Sequence, residues 1–226
     1  MDADLARIGA LLADSKRAKM LLALLGGTPQ PASALADAAA ASRSLASAHL
    51  RKLVEGGLLT VQPRGRQRMY EIAGPQVADA IEGLMQLSPP AQVRSLRDAN
   101  RKENLRQARL CYDHLAGVLG VNVTEKLVDR GALEVADGGF AVTDDGVVAL
   151  GELGVDVPAL QRLRRPLTRA CLDWTERRHH LAGALGAAIA SRLRARGWIE
   201  HGTEGRIVRV TPAGKRGLRS WVGVEA

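Results

Sequence analysis

The sequence predicts a mainly α-helical protein that carries small β-hairpin wings and is built from more than one module. Apolar residues recur at spacings of three and four through most of residues 4–87, which is typical of amphipathic helices. Two short β-rich segments flank a glycine within residues 58–72, which indicates a hairpin. A third observation is an internal repeat, because residues 114–134 align with residues 180–200 without a gap.

The composition is that of a folded globular protein with room for one or two domains. The chain has 226 residues, of which 46% are hydrophobic and 25% are charged. Aromatic residues make up only 3%, which argues against the stacking platforms that bind single-stranded nucleic acid. Lysine and arginine number 32 against 24 aspartates and glutamates, so the formal net charge of +8 favours a polyanionic partner.

Cysteine content and hydropathy indicate a protein of the reducing cytoplasm. Two cysteines cannot form a disulfide framework. The stretch up to Lys19 lacks the basic segment and apolar run of a signal peptide, and no stretch is apolar for long enough to span a membrane. We therefore expect a cytoplasmic protein without a membrane-bound part.

The first half of the N-terminal module is predicted to consist of three helices. Residues 4–25 keep helical spacing of their apolar side chains until a Gly-Gly-Thr-Pro sequence ends the pattern. A short helix follows at residues 31–39. Ser42 is expected to N-cap the third helix, residues 43–55, which a glycine pair closes. His49 lies on the inner face of this helix and is predicted to be a packing residue.

The following segment completes the order of a winged helix-turn-helix domain. Residues 58–61 and 69–72 are predicted strands around a basic, glycine-containing loop, and residues 75–87 form one more amphipathic helix. Lysine and arginine occur six times in residues 42–68, against one acidic residue. A helix that enters the DNA major groove needs short polar side chains and arginine at its N-terminal end, and a basic wing suits phosphates. These segments therefore predict a DNA-binding domain.

These residues resemble the ArsR/SmtB family of dimeric bacterial repressors. The stretch ASRSLASAHLRKLVEGGLL is similar to the recognition helix of that family, QPRGRQRMYEI to its wing and LLADSKRAKMLLALLGG to its opening helix. The resemblance covers about residues 5–87 and implies a homodimer that binds double-stranded DNA. It places base-reading positions at Ser42, Arg43, Ser44 and Ser47, and backbone-contacting positions at Lys52, Arg64, Arg66 and Arg68.

The metal sites of that family are missing from the N-terminal module. One site type places Cys-x-Cys on the helix before the recognition helix, where this chain reads SALADAAAA. Another places Asp-x-His and His-x-x-Glu on the last helix of the domain, where this chain reads VADAIEGLMQL. Neither segment offers the thiolate or imidazole ligands of such sites, so metal sensing by this module is not predicted. The fold requires no cofactor, and a metal ion or a small-molecule effector remains open.

A Ser-Pro-Pro sequence at residues 88–90 is predicted to break the chain. The expected organisation is a DNA-binding domain at residues 1–87, a connector helix at residues 88–108, and a C-terminal domain of two related repeats at residues 109–226, with the repeats at 109–150 and 169–221. The aligned segments HLAGVLGVNVTEKLVDRGALE and HLAGALGAAIASRLRARGWIE are identical at ten of 21 positions. Upstream, Arg-Leu-Cys-Tyr-Asp in the first copy matches Arg-Ala-Cys-Leu-Asp in the second, which carries six additional residues after it.

Each copy is predicted to form a helix, a turn, a second helix, a short hairpin and a threonine-capped helix. This is an abbreviated winged-helix pattern, and we expect the two copies to pack with a pseudo-twofold relation. The first copy is rich in acidic residues, which argues against polyanion binding. The second copy is basic, and its charge is interpreted as a solvated surface, a dimer contact or a further DNA contact.

Cysteine and histidine occupy matching points of the two copies. Cys111 and His114, predicted to share one face of a helix, correspond to Cys171 and His180. Three interpretations of these cysteines and histidines follow. They are small buried residues that the duplication placed, or they form a thiol switch, or Cys111, His114, Cys171 and either His179 or His180 form a metal site. A pocket between the copies for an organic anion or an aromatic ligand is the fourth.

The predicted function is that of a dimeric DNA-binding transcriptional regulator, a repressor, with effector sensing in the C-terminal half. The helices at residues 5–25 and 75–87 are the predicted dimer elements, because both are more apolar than a lone small domain needs. No phosphate-binding loop, nucleophile elbow or zinc-protease motif occurs, so an enzyme is not predicted. The alternatives are a winged-helix module for protein interaction without DNA binding and a cysteine-dependent enzyme of no recognisable class.

Overall fold

A computed structural model describes residues 4–89, 92–202 and 205–225 and divides the chain into two units, residues 1–84 and 85–226. Pro90, the last residue of the predicted chain break, and Ala91, within the predicted connector at residues 88–108, lie outside the described residues. In the described ranges, no helix combines the length and the apolar character needed to cross a membrane.

The first unit has the order of a winged helix-turn-helix domain, which confirms the predicted fold class. Its three strands form one antiparallel sheet in the order β1-β3-β2. Helix α5 begins in this unit and ends in the second. The elements are α1 (Leu5–Leu12), α2 (Ser15–Leu24), β1 (Gln30–Pro31), α3 (Ala32–Ala38), α4 (Arg43–Glu55), β2 (Leu59–Arg64), β3 (Gln67–Ile72) and α5 (Pro75–Leu87).

The predicted single helix at residues 4–25 is wrong, because the chain forms two helices there. The side chain of Asp14 accepts hydrogen bonds from the backbone N–H groups of Lys16 and Arg17, at 3.0 and 2.9 Å, and so begins α2 with an N-cap. Arg17 in turn donates to the carbonyl groups of Ala10 and Leu11, at 2.7 Å each, which satisfies the end of α1. Apolar spacing alone does not reveal a break that both helix ends stabilise.

The core of the first unit lies between α2, α3, α4 and the sheet. Leu24, Leu35, Leu50 and Ile72 are at most 3% exposed and come from four different elements. Helix α1, by contrast, has no buried residue, although it is strongly amphipathic. Three residues of its apolar face, Ile8, Leu11 and Leu12, are partly buried, and Leu11 contacts Gly56, so one chain covers this face only in part.

The second unit contains two copies of the order hairpin, helix, hairpin and helix. Each pair of consecutive strands forms a separate antiparallel two-stranded sheet. Helix α9, between the copies, was not predicted from the sequence. The elements are α6 (Leu96–Gln107), β4 (Arg109–Cys111), β5 (His114–Ala116), α7 (Gly117–Asp129), β6 (Leu133–Ala136), β7 (Gly139–Val142), α8 (Asp144–Leu153), α9 (Val157–Gln161), β8 (Arg169–Leu172), β9 (His179–Ala182), α10 (Gly183–Ala195), β10 (Ile199–His201), β11 (Val208–Val210) and α11 (Pro212–Val222).

The first element of each copy is a hairpin, so the predicted helix there is wrong. Cys111 and His114 are cross-strand partners of β4 and β5 and not neighbours on a helix. Tyr112 and Asp113 form the two-residue turn between them, and Tyr112 has φ of 61°, an unusual angle for a residue with a side chain. The turn lacks the glycine or asparagine that marks most tight hairpins, which is why the sequence pattern missed it.

The two copies pack on each other reciprocally. Helix α7 of the first copy contacts β9 of the second, α10 of the second contacts β5 of the first, and β5 contacts β9. Gly186 on α10 permits this approach, because a Cβ atom there would lie 2.4 Å from the carbonyl oxygen of Leu181 and 3.2 Å from the Cβ of His114. One continuous apolar core includes side chains of both copies, among them Leu127, Leu185 and Leu193.

Candidate DNA interface and cysteine–histidine cluster

The start of α4 presents a short polar surface. Ser42 N-caps the helix, since its Oγ accepts a hydrogen bond from the backbone N–H of Leu45 at 3.3 Å. Ser47 Oγ donates to the carbonyl group of Arg43 at 2.9 Å, so this hydroxyl is held against the helix backbone. All four predicted base-reading positions are exposed, namely Ser42, Arg43, Ser44 and Ser47.

The wing is a tight hairpin with a basic tip. Arg64 pairs with Gln67 across β2 and β3, which leaves Gly65 and Arg66 as a two-residue turn. Gly65 has φ of 61°, a left-handed conformation that favours glycine. The guanidinium of Arg68 lies 6.0 Å from the centre of the Tyr70 ring. The predicted backbone-contacting positions are all exposed, namely Lys52, Arg64, Arg66 and Arg68.

Several of these basic side chains have no acidic partner. Within the described residues, no ion pair is formed by Arg43, Lys52, Arg64 or Arg66, whereas Arg51 on the outer face of α4 approaches Glu55 at 4.0 Å. Exposed and unpaired positive charges are what phosphate groups attract. The helix and the wing therefore carry the charge that a polyanion would meet.

His49 is buried, as predicted, but it does more than pack. Its Nδ1 lies 3.3 Å from Nη1 of Arg17, and its Nε2 lies 3.8 Å from Oδ1 of Asp14. These are the residues that begin α2, so His49 connects α4 to the N-terminal end of α2. Sequence reasoning missed this connection, because Asp14 and His49 are far apart in the chain.

The two copies of the second unit bring two cysteines and two histidines into one cluster. The Sγ atoms of Cys111 and Cys171 are 3.9 Å apart, and the ring centres of His114 and His180 are 5.1 Å apart. One side-chain donor atom from each of the four residues lies within 4.8 Å of the others. Both histidines and Cys111 are almost fully buried, whereas Cys171 is partly exposed. His179, the other histidine considered from the sequence, is exposed and is not part of the cluster.

The hairpins explain why the donors meet. Cys111 pairs with His114 across β4 and β5, and Cys171 pairs with His180 across β8 and β9. Cross-strand partners project from the same face of a hairpin, so each copy presents one thiol beside one imidazole. Because the copies pack through β5 and β9, the two pairs face each other.

Asp113 lies on the outer side of His114. Its Oδ1 is 3.2 Å from Nδ1 of His114, and Arg165 donates to both of its carboxylate oxygens. Although burial opposes ionisation, hydrogen bonds from His114 and Arg165 hold the pKa of Asp113 at about 2. Burial by itself would lower the pKa of His114, but the charges of Cys111 and Asp113 raise it to about 9.

Asp173 has the matching place beside His180. Its Oδ2 lies 3.6 Å from Nδ1 of His180 and accepts hydrogen bonds from Arg109 at 2.9 Å and from the N–H of Gly117 at 2.7 Å. Despite its burial, the charge of Arg109 and a hydrogen bond from Thr175 hold the pKa of Asp173 well below its usual range. Sequence reasoning did not assign these roles, although the repeated Arg-x-Cys-x-Asp motif marked both aspartates.

Three imidazole nitrogens in the cluster lack hydrogen-bond partners of normal geometry in the described part of the chain. They are Nε2 of His114 and both ring nitrogens of His180. Buried polar atoms are normally satisfied by protein, water or a bound ligand. Two thiols beside two imidazoles are suited to binding a soft cation, to thiol oxidation, or to holding a proton.

Comparison with known proteins adds three findings. Residues 12–62 match the model of a helix-turn-helix domain family. YdfF of Bacillus subtilis (strain 168), described as an uncharacterized HTH-type transcriptional regulator, is 40% identical over 225 residues, which cover 100% of both chains. CmtR of Mycobacterium tuberculosis (strain H37Rv), an HTH-type transcriptional regulator, is 40% identical over 83 residues, which cover 37% of this chain and 70% of CmtR.

Among solved structures, the chain is similar to the homodimeric winged helix-turn-helix DNA-binding domain of Mb0332 from Mycobacterium bovis, described as "a possible ArsR-family transcriptional regulator". That match has 32% identity and a TM-score of 0.33, and it covers 38% of this chain and 86% of the other. The similarity to YdfF extends over both units, whereas the other two relatives each match less than two-fifths of the chain.

Proposed function

The chain belongs to the family of HTH-type transcriptional regulators, and we propose that it is a homodimeric repressor that reads DNA with its ArsR-like N-terminal domain and senses an effector with its C-terminal half. The observation that carries the proposal is the surface of α4 and the wing. Short polar groups and Arg43 stand at the start of the helix, and unpaired arginines stand at the tip of the wing. This matches what a major-groove helix and its flanking wing require.

The contacts divide into two kinds. Arg43 and the serines at the start of α4 are proposed to contact base edges, because a recognition helix enters the groove with its N-terminal residues. Lys52 and the three wing arginines, Arg64, Arg66 and Arg68, are proposed to contact phosphates and the adjacent minor groove. The first set would set sequence preference, and the second would set affinity and its salt dependence.

Dimerisation is proposed through α1 and α5. No residue of α1 is fully buried, and Leu5 is 79% exposed. Leu84 and Leu87 on α5 are 46% and 84% exposed. Exposed leucines on two amphipathic helices favour burial against a second copy. A dimer also joins two recognition helices, which raises affinity for half-sites that lie one helical turn apart.

Sensing is proposed at the cysteine–histidine cluster, whose donors come from both copies and of which only Cys171 is partly exposed. Gln86, in the last turn of α5, donates to the carbonyl group of Leu172 at 3.3 Å, and Leu172 directly follows Cys171. Arg177, in the loop between β8 and β9, donates to the carbonyl group of Gln86 at 3.4 Å. A change at the cluster would therefore act on the end of a proposed dimer helix.

Selection of bound fragments from genomic DNA, followed by footprinting, tests the proposal. We expect a protected site with two half-sites about one helical turn apart, and loss of repression from a promoter reporter when the gene is deleted. Light scattering at micromolar concentration is expected to give a dimer. Failure to select any fragment at low salt would contradict the DNA-binding role, and a monomer that binds a single half-site would contradict the dimer.

A further inference from the structure

We propose that Cys111, His114, Cys171 and His180 bind one thiophilic divalent cation of the zinc group, Zn²⁺ or Cd²⁺, in a tetrahedral site. The proposal names the effector class of the cluster to which the proposed function assigns sensing, and its regulatory meaning rests on that assignment. The site itself rests on the geometry and the chemistry of the four side chains.

The distances fit a tetrahedral ion before any movement of the chain. Zinc binds thiolate sulfur at about 2.3 Å, and two such ligands at the tetrahedral angle lie about 3.8 Å apart. The two Sγ atoms are 3.9 Å apart, and all four donor atoms lie within 4.8 Å of one another. A disulfide, by comparison, needs a sulfur separation of about 2.0 Å.

The histidines separate a metal site from a thiol switch. Nε2 of His114 and both ring nitrogens of His180 are buried without hydrogen-bond partners of normal geometry in the described part of the chain. A disulfide between the cysteines would leave these nitrogens unsatisfied, whereas a cation at the centre of the cluster engages an imidazole nitrogen from each ring. A metal ion therefore accounts both for the close approach of the two thiols and for the buried imidazole nitrogens beside them.

Two carboxylates stand where they would orient the histidine ligands. Asp113 lies 3.2 Å from Nδ1 of His114, and Asp173 lies 3.6 Å from Nδ1 of His180, so Nε2 of each ring is the nitrogen left for the cation. Each carboxylate is itself held by an arginine, Asp113 by Arg165 and Asp173 by Arg109. Histidine ligands of zinc commonly donate their second ring N–H to such a carboxylate.

The donor set selects the class of cation. Two thiolates and two imidazoles are soft and borderline ligands, which disfavour Mg²⁺ and Ca²⁺, since those ions prefer oxygen. A four-coordinate tetrahedral set of this kind is typical of zinc, and it closes the coordination shell without an open position for chemistry. Cys171 is the partly exposed donor, so it is the side from which a cation would enter.

The test uses the full chain, reduced and stripped of metal under anaerobic conditions, with Co²⁺ as the spectroscopic probe. We expect one Co²⁺ per chain, with thiolate-to-metal charge transfer and the intense visible bands of tetrahedral cobalt, and full displacement by Zn²⁺ or Cd²⁺. Absence of binding of all three cations would overturn the proposal. Formation of a disulfide on oxidation in such a metal-free protein would then favour the thiol switch.

Variants decide whether the four residues are the ligands. Cys111→Ser combined with Cys171→Ser is expected to abolish the charge-transfer band. His180→Gln is expected to weaken Co²⁺ binding at least 100-fold. Substitution of a residue that only hydrogen-bonds to a ligand typically weakens metal binding by roughly 10- to 100-fold. His179→Gln is the matched control, because His179 is the preceding residue on β9 and is exposed. Circular dichroism confirms that each variant is folded. Equal Co²⁺ affinity of His180→Gln and His179→Gln would overturn the assignment, even if the cysteine variant does not fold.

DNA binding with and without Zn²⁺ or Cd²⁺ separates this inference from the proposed function. A cation that binds at the cluster and leaves operator affinity unchanged would contradict sensing there and leave the metal site intact. Operator binding that responds to an oxidant or an organic compound in a protein that takes up no cation would contradict the metal site and leave effector sensing intact.

Discussion

Arg109 and Asp173 form a completely buried ion pair that connects the two copies of the second unit. Nη2 of Arg109 donates to Oδ2 of Asp173 at 2.9 Å, and neither side chain is exposed to solvent. The guanidinium carbon also lies 4.7 Å from the centre of the Trp174 ring, and the guanidinium donates a hydrogen bond to Thr175 Oγ1. The six residues that lengthen the second copy therefore supply partners for an arginine of the first.

Asp173→Asn is expected to destabilise the protein by about 3–5 kcal/mol, because it leaves the buried Arg109 charge uncompensated. Urea denaturation followed by circular dichroism measures the effect. Asp129→Asn is the control, since Asp129 forms an exposed pair with Lys126 at 3.0 Å and should change stability by less than about 1 kcal/mol. Equal stability of the two variants would show that the buried pair contributes little.

Gly186→Ala is expected to destabilise the second unit by about 1–3 kcal/mol, because the added Cβ would meet the Leu181 carbonyl oxygen, a backbone atom that cannot move freely. A Cβ atom added at Gly151 on α8 would have no other atom within 4 Å. Gly151→Ala should therefore stabilise the helix by about 0.5–1 kcal/mol. Thermal unfolding of both variants measures the two changes in stability. The same sign of change in both would contradict the close approach of α10 to β9 and β5.

Arg43→Ala is expected to weaken binding to a selected operator by about 1–3 kcal/mol and to relax the preference for one base position. Fluorescence anisotropy against the operator and its single-base variants measures both effects. Lys126→Ala removes a positive charge from the second unit and serves as the control. If Arg43→Ala weakened all sequences equally, its role would be that of a phosphate contact.

Arg66→Ala is expected to weaken binding to all sequences alike, because the tip of the wing is proposed to contact phosphates. The slope of the logarithm of affinity against the logarithm of salt concentration should become shallower by about one unit. Titrations between low and physiological salt measure that slope. An unchanged slope would place the wing away from the DNA backbone.

Asp113→Asn is expected to lower affinity for Co²⁺ and Zn²⁺ by about 10- to 100-fold without changing the number of ions bound, since Asp113 positions His114 and does not bind the metal. Competition with a chelator of known affinity measures the change. Asp137→Asn, at an exposed position of the same copy, should bind as wild type. Loss of all binding in Asp113→Asn would instead make the carboxylate a ligand.

Local signals predicted the elements of the first unit where caps and turns are themselves local. Ser42 begins α4, the glycine pair after Glu55 ends it, and Gly65 permits the turn of the wing. The same kind of reasoning joined α1 and α2, because the apolar pattern is continuous across Asp14. The N-cap at Asp14 outweighs that pattern because Arg17 also satisfies the end of α1. Helix spacing contains no record of that side-chain contact.

The hairpins of the second unit were missed for a related reason. Three-residue strands such as β4 and β5 are too short for alternation to be recognised, and Tyr112 adopts a turn conformation that its residue type disfavours. Tertiary packing stabilises this turn, since both strands are buried. A helix was the better prediction from local preference, and packing outweighed it.

The duplication of the chain is evident from the residue pattern, as is the recurrence of a cysteine, a histidine and an aspartate at matching points of the copies. Folding in three dimensions brings the Sγ atoms of Cys111 and Cys171, 60 residues apart in the chain, to 3.9 Å from each other. That proximity depends on the packing of α7 on β9 and of α10 on β5, and on the absence of a Cβ at Gly186. Contacts between such distant segments form because each copy buries its apolar face against the other, a condition that no local residue pattern contains.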